Sequence, residues 1–135
     1  MLSFSRKADY GLLFLTVLAG LETNRFASVR LIARQHKLPY TFMAKIANQL
    51  KEAGILESRE GIGGGFRLKD VPDRIPLNLI VKTLDGPVAP VACMQDKDCA
   101  CAGSCTHSGV IRKMSMVMEE TMADYTLADL VGGKA

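Results

Sequence analysis

Cys93, Cys99, Cys101, Cys105 and His107 put all four cysteines of the chain and one of its two histidines within fifteen positions, CMQDKDCACAGSCTH. Thiolates are soft ligands and redox-active nucleophiles, and the intervening Gly, Ser and Asp specify a loop rather than a packed helix or strand. Such a loop can bind metal, undergo thiol oxidation, or do both. Four thiolates would satisfy a closed tetrahedral zinc site in an interaction module, although these spacings are not the usual paired C-x2-C. Pairs of them could instead oxidise to disulfides as a thiol switch. No nucleophile and base sit together outside this loop, so an enzyme is not expected.

The remaining residues must position that loop. At 135 residues and 48% hydrophobic content the chain can bury a core, and the absence of Trp, 6% aromatics and seven Met point to a mainly helical, aliphatic one. The apolar run Gly11–Leu21 follows Arg6 and Lys7 as an export signal would, but Asp9 interrupts the basic flank and no A-x-A site follows. Its eleven residues also fall short of the about 20 that span a bilayer. A buried first helix in a cytoplasmic protein with no membrane partner is the expectation, and clustered thiols then favour a metal or redox role over a disulfide framework.

Charge is unevenly placed. Residues 25–74 carry ten Lys and Arg against five Asp and Glu, whereas residues 75–135 carry five against seven. A basic first half joined to an acidic second half suits a polyanion-binding module, though a solvated lysine face gives similar counts.

Ahead of that basic stretch, residues 5–20 read as a helix with Ser5 as N-cap, apolar positions at Ala8, Leu12, Leu15 and Leu18 and an apolar surface nearly all round from Leu12 onward, and Asp9 on the first turn favouring the helix dipole. Ser28 caps a short helix to about His36, with Val29, Ile32 and Ala33 inward and Arg30, Arg34 and Lys37 outward. Leu38-Pro39 breaks it, and Tyr40–Glu52 forms the next helix. On that helix Phe42, Met43, Ile46, Ala47 and Leu50 share an arc of about 140°, leaving Thr41, Lys45, Asn48, Gln49 and Lys51 on the rest. This is helix-turn-helix organisation, although an ordinary αα-hairpin would share the pattern. Gly54 closes the helix, and residues 55–59 and 66–68 then form a β-hairpin around a glycine-rich tip, a wing whose glycines admit close approach to phosphate and whose Arg59, Arg67 and Lys69 supply charge.

Asp70 to Pro76 reads as a linker, so residues 1–75 are expected to form a winged helix-turn-helix domain. Residues 76–135 then hold a short helix (77–84), the cysteine loop (90–107) and a long helix (108–126) with Ser108 as N-cap. Ile111, Met114, Met118, Thr121 and Tyr125 make a heptad seam on it, flanked by Val110, Val117 and Met122. Pairing with a second copy would bury that seam and suit paired DNA half-sites, while packing on the first helix of the same chain is the alternative.

Asp9-Tyr10-Gly11-Leu12, Ile32-Ala33, LKEAGIL at 50–56, GIGGGFRL at 61–68 and Asp85-Gly86 together resemble the Rrf-two family of bacterial winged-helix transcription regulators, which includes the IscR-, NsrR- and RirA-type iron-sulfur sensors. The likeness covers nearly the whole chain. It implies a homodimer on double-stranded operator DNA, with operator affinity controlled by a [2Fe-2S] or [4Fe-4S] cluster on Cys93, Cys99 and Cys105. The fourth ligand implied is Asp9 of a second subunit or His107, with Cys101 and His36 as further candidates. Ser28, Arg34, Tyr40, Thr41, Lys45, Asn48, Lys51, Arg59 and Arg67 are the implied DNA-binding set. Glu60 departs from the family pattern, in which an Arg or Lys often precedes the first wing glycine; here Arg59 stands one place earlier.

Overall fold

Ser5 opens helix α1 (Arg6–Ala19) as its N-cap, accepting from the Ala8 N–H at 3.1 Å. The computed structural model describes residues 3–22, 24–94, 99–101 and 103–133, so positions 95–98 and 102 of the expected cysteine loop lie outside the described residues. Ala8, Phe14 and Leu15 of α1 are fully buried, because the helices at Tyr40–Glu52 (α3), Leu77–Asp85 (α4) and Leu127–Gly132 (α6) and the second wing strand, Gly65–Leu68, all pack around it. Leu12 is half-buried against the core, and Gly11 is buried beside it. A Cβ at Gly11 would lie 2.2 Å from Leu84 Cδ1, so the missing side chain is what lets α4 approach α1 this closely.

Ser28 caps α2 (Val29–Gln35), and the chain turns through Lys37 at φ 54° into α3 (Tyr40–Glu52). Met43, Ile46, Ala47 and Leu50 bury the apolar face of α3. The helix ends in a Schellman motif: Gly54, at φ 80°, donates its N–H to Lys51 C=O at 3.0 Å, and Ile55 donates to Leu50 C=O at 3.0 Å. Strands β1 (Leu56–Arg59) and β2 (Gly65–Leu68) pair antiparallel, Leu56 opposite Leu68 and Glu57 opposite Arg67. Ala27 bridges to Phe66 on the outer edge of β2, with N–O distances of 2.9 and 2.8 Å, so the wing is fastened to the segment that leads into α2.

The segment expected to be a linker contributes one residue, Ile75, to the core. A 3-10 turn (Pro72–Arg74) leads to buried Ile75, and Pro76 bridges to Thr126 just ahead of α6 (Leu127–Gly132). Ile80 and Leu84 of α4 (Leu77–Asp85) and Leu127 of α6 join Phe14, Ile46 and Leu56 in a single cluster. Residues on both sides of position 75 thus contribute to that cluster. At the end of α4, the Asp85 carboxylate accepts from both the N–H of Ser5, at 2.9 Å, and its hydroxyl, tying α4 to the start of α1.

Helix α5 (Ser108–Ala123) begins at Ser108, the residue expected to cap it, so the cap falls one residue earlier. His107 is the N-cap without a side-chain hydrogen bond, and the Ser108 hydroxyl donates to Cys105 C=O at 3.0 Å. The expected seam also divides. Met122 and Ser115 are buried and Ile111 and Met118 half-buried on the side that packs on α4, while Val110, Met114 and Val117 stay 66%, 44% and 50% exposed. Among the described residues no helix is long and apolar enough to cross a membrane.

Leu127 is fully buried although it sits near the end of the chain. Replacing it with Ala should lower unfolding free energy by about 2–5 kcal/mol, read as a drop in urea midpoint in one cooperative transition. A change confined to fraying of the last helix would show that α6 is peripheral to the core.

Candidate nucleic-acid interface and cysteine loop

Thr41, Lys45 and Asn48 follow one another at helical spacing on the exposed side of α3, opposite the buried Met43–Leu50 face, with Lys51 exposed one turn beyond Asn48. Such a polar, cationic ridge can reach base edges and phosphates in a major groove. Gln49, expected on the same outer face, is half-buried: its Nε2 donates to Thr83 C=O of α4 at 3.0 Å. It is a structural bolt between α3 and α4. Tyr40 is exposed at the first turn, and the Arg30 guanidinium lies 4.4 Å from its ring centre, which makes Arg30 a further cation on this face. Ser28 spends its Oγ on the Leu31 N–H at 3.4 Å, and Arg34 projects from the last turn of α2.

The two wing arginines differ. Arg67 is ion-paired with Glu57 across the strands and donates to Asn24 C=O at 3.3 Å. Arg59 donates through Nη2 to Gly63 C=O at 3.2 Å. Phe26 sits between them, its ring 4.6 Å from the Arg59 guanidinium and 4.5 Å from that of Arg67. Sequence reading missed this aromatic, although Phe26 flanks Arg25 on the approach to α2. The sequence assigned the wing glycines to phosphate approach, but a Cβ at Gly65, at φ 138°, would meet Ala27 O at 2.1 Å. Gly65 is required by contact within the protein.

The cysteine loop is stapled to α5 at both ends. At its entry Val88 donates its N–H to Glu119 at 3.3 Å, and its C=O accepts the hydroxyl of buried Ser115 at 2.5 Å. At its exit Cys105 C=O is held by Ser108. All four cysteines are free: Cys93, in the 3-10 turn Ala92–Met94, and Cys101 are exposed, while Cys99 and Cys105 are half-buried. The Cys93 thiol is pushed above its ordinary pKa, by desolvation first and then by Cys99 and Cys105, with Cys99 in hydrogen-bonding reach. Cys101 is not among the groups acting on Cys93. The thiols do not converge on a common point: among the described residues no three Cys, His, Asp or Glu groups form a ready metal cage, so Asp9, His36 and His107 join no such set. Asp9 is exposed on the first turn of α1 beside a cavity lined by Phe4, Ser5, Arg6, Tyr10 and Leu12. His36 is the exposed C-cap of α2, and His107 the exposed N-cap of α5.

Residues 4–133 match the family model Rrf2, described as an iron-dependent transcriptional regulator. The chain is 31% identical over 104 residues to the HTH-type transcriptional repressor NsrR of Streptomyces coelicolor, covering 77% of this chain and 70% of that protein. The structure of CymR, the global cysteine regulator of B. subtilis, superposes with a TM-score of 0.78 at 29% identity, each chain covered in full. An IscR structure from T. potens shares the fold at a TM-score of 0.74 and 24% identity, covering 99% of this chain and 89% of that one. A basic helix-turn-helix face, a two-stranded wing and these likenesses agree: the chain belongs to the Rrf2 family of DNA-binding transcriptional regulators and is not an enzyme.

Proposed function

We propose that this regulator is a homodimer that binds operator DNA through α3 and the wing, and that its operator affinity is set by an iron-sulfur cluster on Cys93, Cys99 and Cys105. The observation that carries the reading is that those three thiols share one short loop, spaced six residues apart and attached to α5 at each end. The donor set fits: three soft thiolates suit iron-sulfur ligation, and a fourth position filled by oxygen or nitrogen would be the labile one. Asp9 of a second copy or His107 would supply it, with Cys101 and His36 as further candidates. Such a cluster supplies a centre that changes with iron, oxygen, nitric oxide or redox state. The family's description as iron-dependent regulators supports the same reading.

Residues of the chain itself carry the consequence to DNA. Val88, Ser115 and Glu119 fix the loop on α5, α5 packs on α4, and α4 holds α3 through core contact and the Gln49–Thr83 hydrogen bond. A shift of α5 would re-aim α3 and change the spacing of two half-site readers in a dimer. A thiol switch on the same fold is the second reading, favoured by Cys93 and Cys99 lying within hydrogen-bonding reach.

Protein purified without oxygen should show visible absorbance with iron and acid-labile sulfide. Cys93→Ala, Cys99→Ala and Cys105→Ala should each abolish that absorbance while Cys101→Ala retains it. One zinc per chain with no sulfide would refute the cluster. Among fourth-ligand candidates, only the true one should alter the spectrum when Asp9, His107 and His36 are replaced by Ala in turn.

DNA binding can be dissected by anisotropy titration at several salt concentrations. Asn48→Ala should lose about 1–3 kcal/mol on the operator and relax specificity. Lys51→Ala should lower the salt slope by about 1, whereas Arg67→Ala, whose guanidinium is held by Glu57, should leave the slope unchanged. Equal slopes for all three variants would argue against this division of labour.

A further inference from the structure

Where the start of α1, the end of α4 and the entry to the cysteine loop meet α5, the fold leaves a half-open cavity of about 590 Å³. Small-molecule sites occupy roughly 300–1,000 Å³, so the space is of the right size for one. Much of the wall is apolar, from Phe4, Val81, Pro87, Val88, Ala89 and Met118. Among the described lining residues Asp85 alone is charged, and no Lys or Arg is there to receive a phosphate or carboxylate. The Asp85 carboxylate accepts the Ser5 N–H, at 2.9 Å, and the Ser5 hydroxyl. A carboxylate offers about four acceptor positions, so about two remain for a further donor. Phe4, 50% exposed, adds an aromatic face, and Met118 adds a polarisable thioether. A carboxylate beside an aromatic ring in an apolar wall is the chemistry that holds an organic ammonium. Glu119, 3.3 Å from the Val88 N–H, brings a second negative charge close to the same wall.

We propose that this cavity is a binding site for a small organic cation with an apolar body, its ammonium held by Asp85 against the Phe4 ring and its body by Val81 and Met118. The site uses no cysteine and no residue of α3 or the wing, so it stands apart from both the thiol loop and the DNA-reading face. It borders the two ties that set the surrounding elements: Asp85 to Ser5, which joins α4 to α1, and Val88 to Ser115 and Glu119, which joins the loop to α5. An occupant would touch both ties at once.

The test titrates the full chain with phenethylamine, with 2-phenylethanol, which has the same shape without the charge, and with 3-phenylpropionate, which reverses the charge, each followed by calorimetry. The amine should bind at one site per chain, the alcohol roughly tenfold more weakly, and the acid not at all. Asp85→Asn should erase the preference for amine over alcohol. Ala89→Phe fills the cavity without altering Asp85 and should abolish binding of both, with an unchanged thermal midpoint showing that the fold persists. This second variant decides the matter even where loss of the Asp85 charge loosens the tie to Ser5. Cys93→Ala should bind the amine as the unaltered chain does, which separates this site from the cluster. Absence of amine binding, equal affinity for amine and alcohol, binding that survives Ala89→Phe, or loss of binding in Cys93→Ala would each overturn the assignment. So would an amine affinity that falls as the chain concentration rises, because a second copy would then be the occupant.

Discussion

Close contact between α1 and α4 at Gly11 is the constraint from which the rest of the arrangement follows. Helix α1 is apolar on nearly every side, so it is stable only when surrounded, and α3, α4, α6 and the wing supply that surround. Leu84 fills the space that any side chain at position 11 would occupy, and it is itself 2% exposed, leaving no room to retreat. Asp85, the next residue, takes both polar hydrogens of Ser5. Helix α4 is thereby fixed in two places on α1, and α3 is held against it by Gln49. The exposed polar face of α3 is set by the same core that receives α5, which is the route the proposed function needs between the two.

Around the wing the decisive physics is electrostatic and local. Two guanidiniums share one phenyl ring, one of them neutralised by Glu57, and each has a carbonyl to receive its hydrogens. Such an arrangement lowers the conformational entropy still to be lost when the hairpin meets a ligand. It also divides labour among residues that composition alone would count alike: Arg67 stiffens the hairpin, whereas Lys45, Lys51 and Arg34 are exposed on the helices.

Local signals made much of this fold legible in the sequence. Ser5 and Ser28 as caps, Pro39 at the turn, Gly54 beyond α3 and the buried arc from Met43 to Leu50 all depend on neighbours a few positions away. What escaped depends on partners far along the chain. Gly11 is explained by Leu84, Gly65 by Ala27, Gln49 by Thr83, and the supposed linker at Asp70–Pro76 by Thr126 and Leu127. The cysteine loop was visible as chemistry but not as geometry. Thiol spacing says which atoms are available; the hydrogen bonds of Val88 and Cys105 to α5, which say where those atoms are held, have no signature in the spacing.

Helix α5 shows how a correct periodicity can still be assigned to the wrong partner. Ile111, Ser115, Met118 and Met122 form one seam with intervals of 4, 3 and 4, and it faces α4; Val110, Met114, Val117 and Thr121 form a second with the same intervals, and it faces outward. The two run side by side, about 100° apart on the helix. A single seam drawn through Ile111, Met114, Met118 and Thr121 took alternate residues from each. Because the inward seam is already satisfied by the chain's own α4, folding of the monomer does not consume the outward one. Its three large apolar residues stay exposed in a heptad register, and that register suits a helix of another copy, the arrangement the proposed dimer requires. The cysteine loop is stapled to the helix through Ser115 and Glu119, on or beside the inward seam. The helix therefore separates its tasks by face: one side carries the loop and the core, and the other is left to a partner.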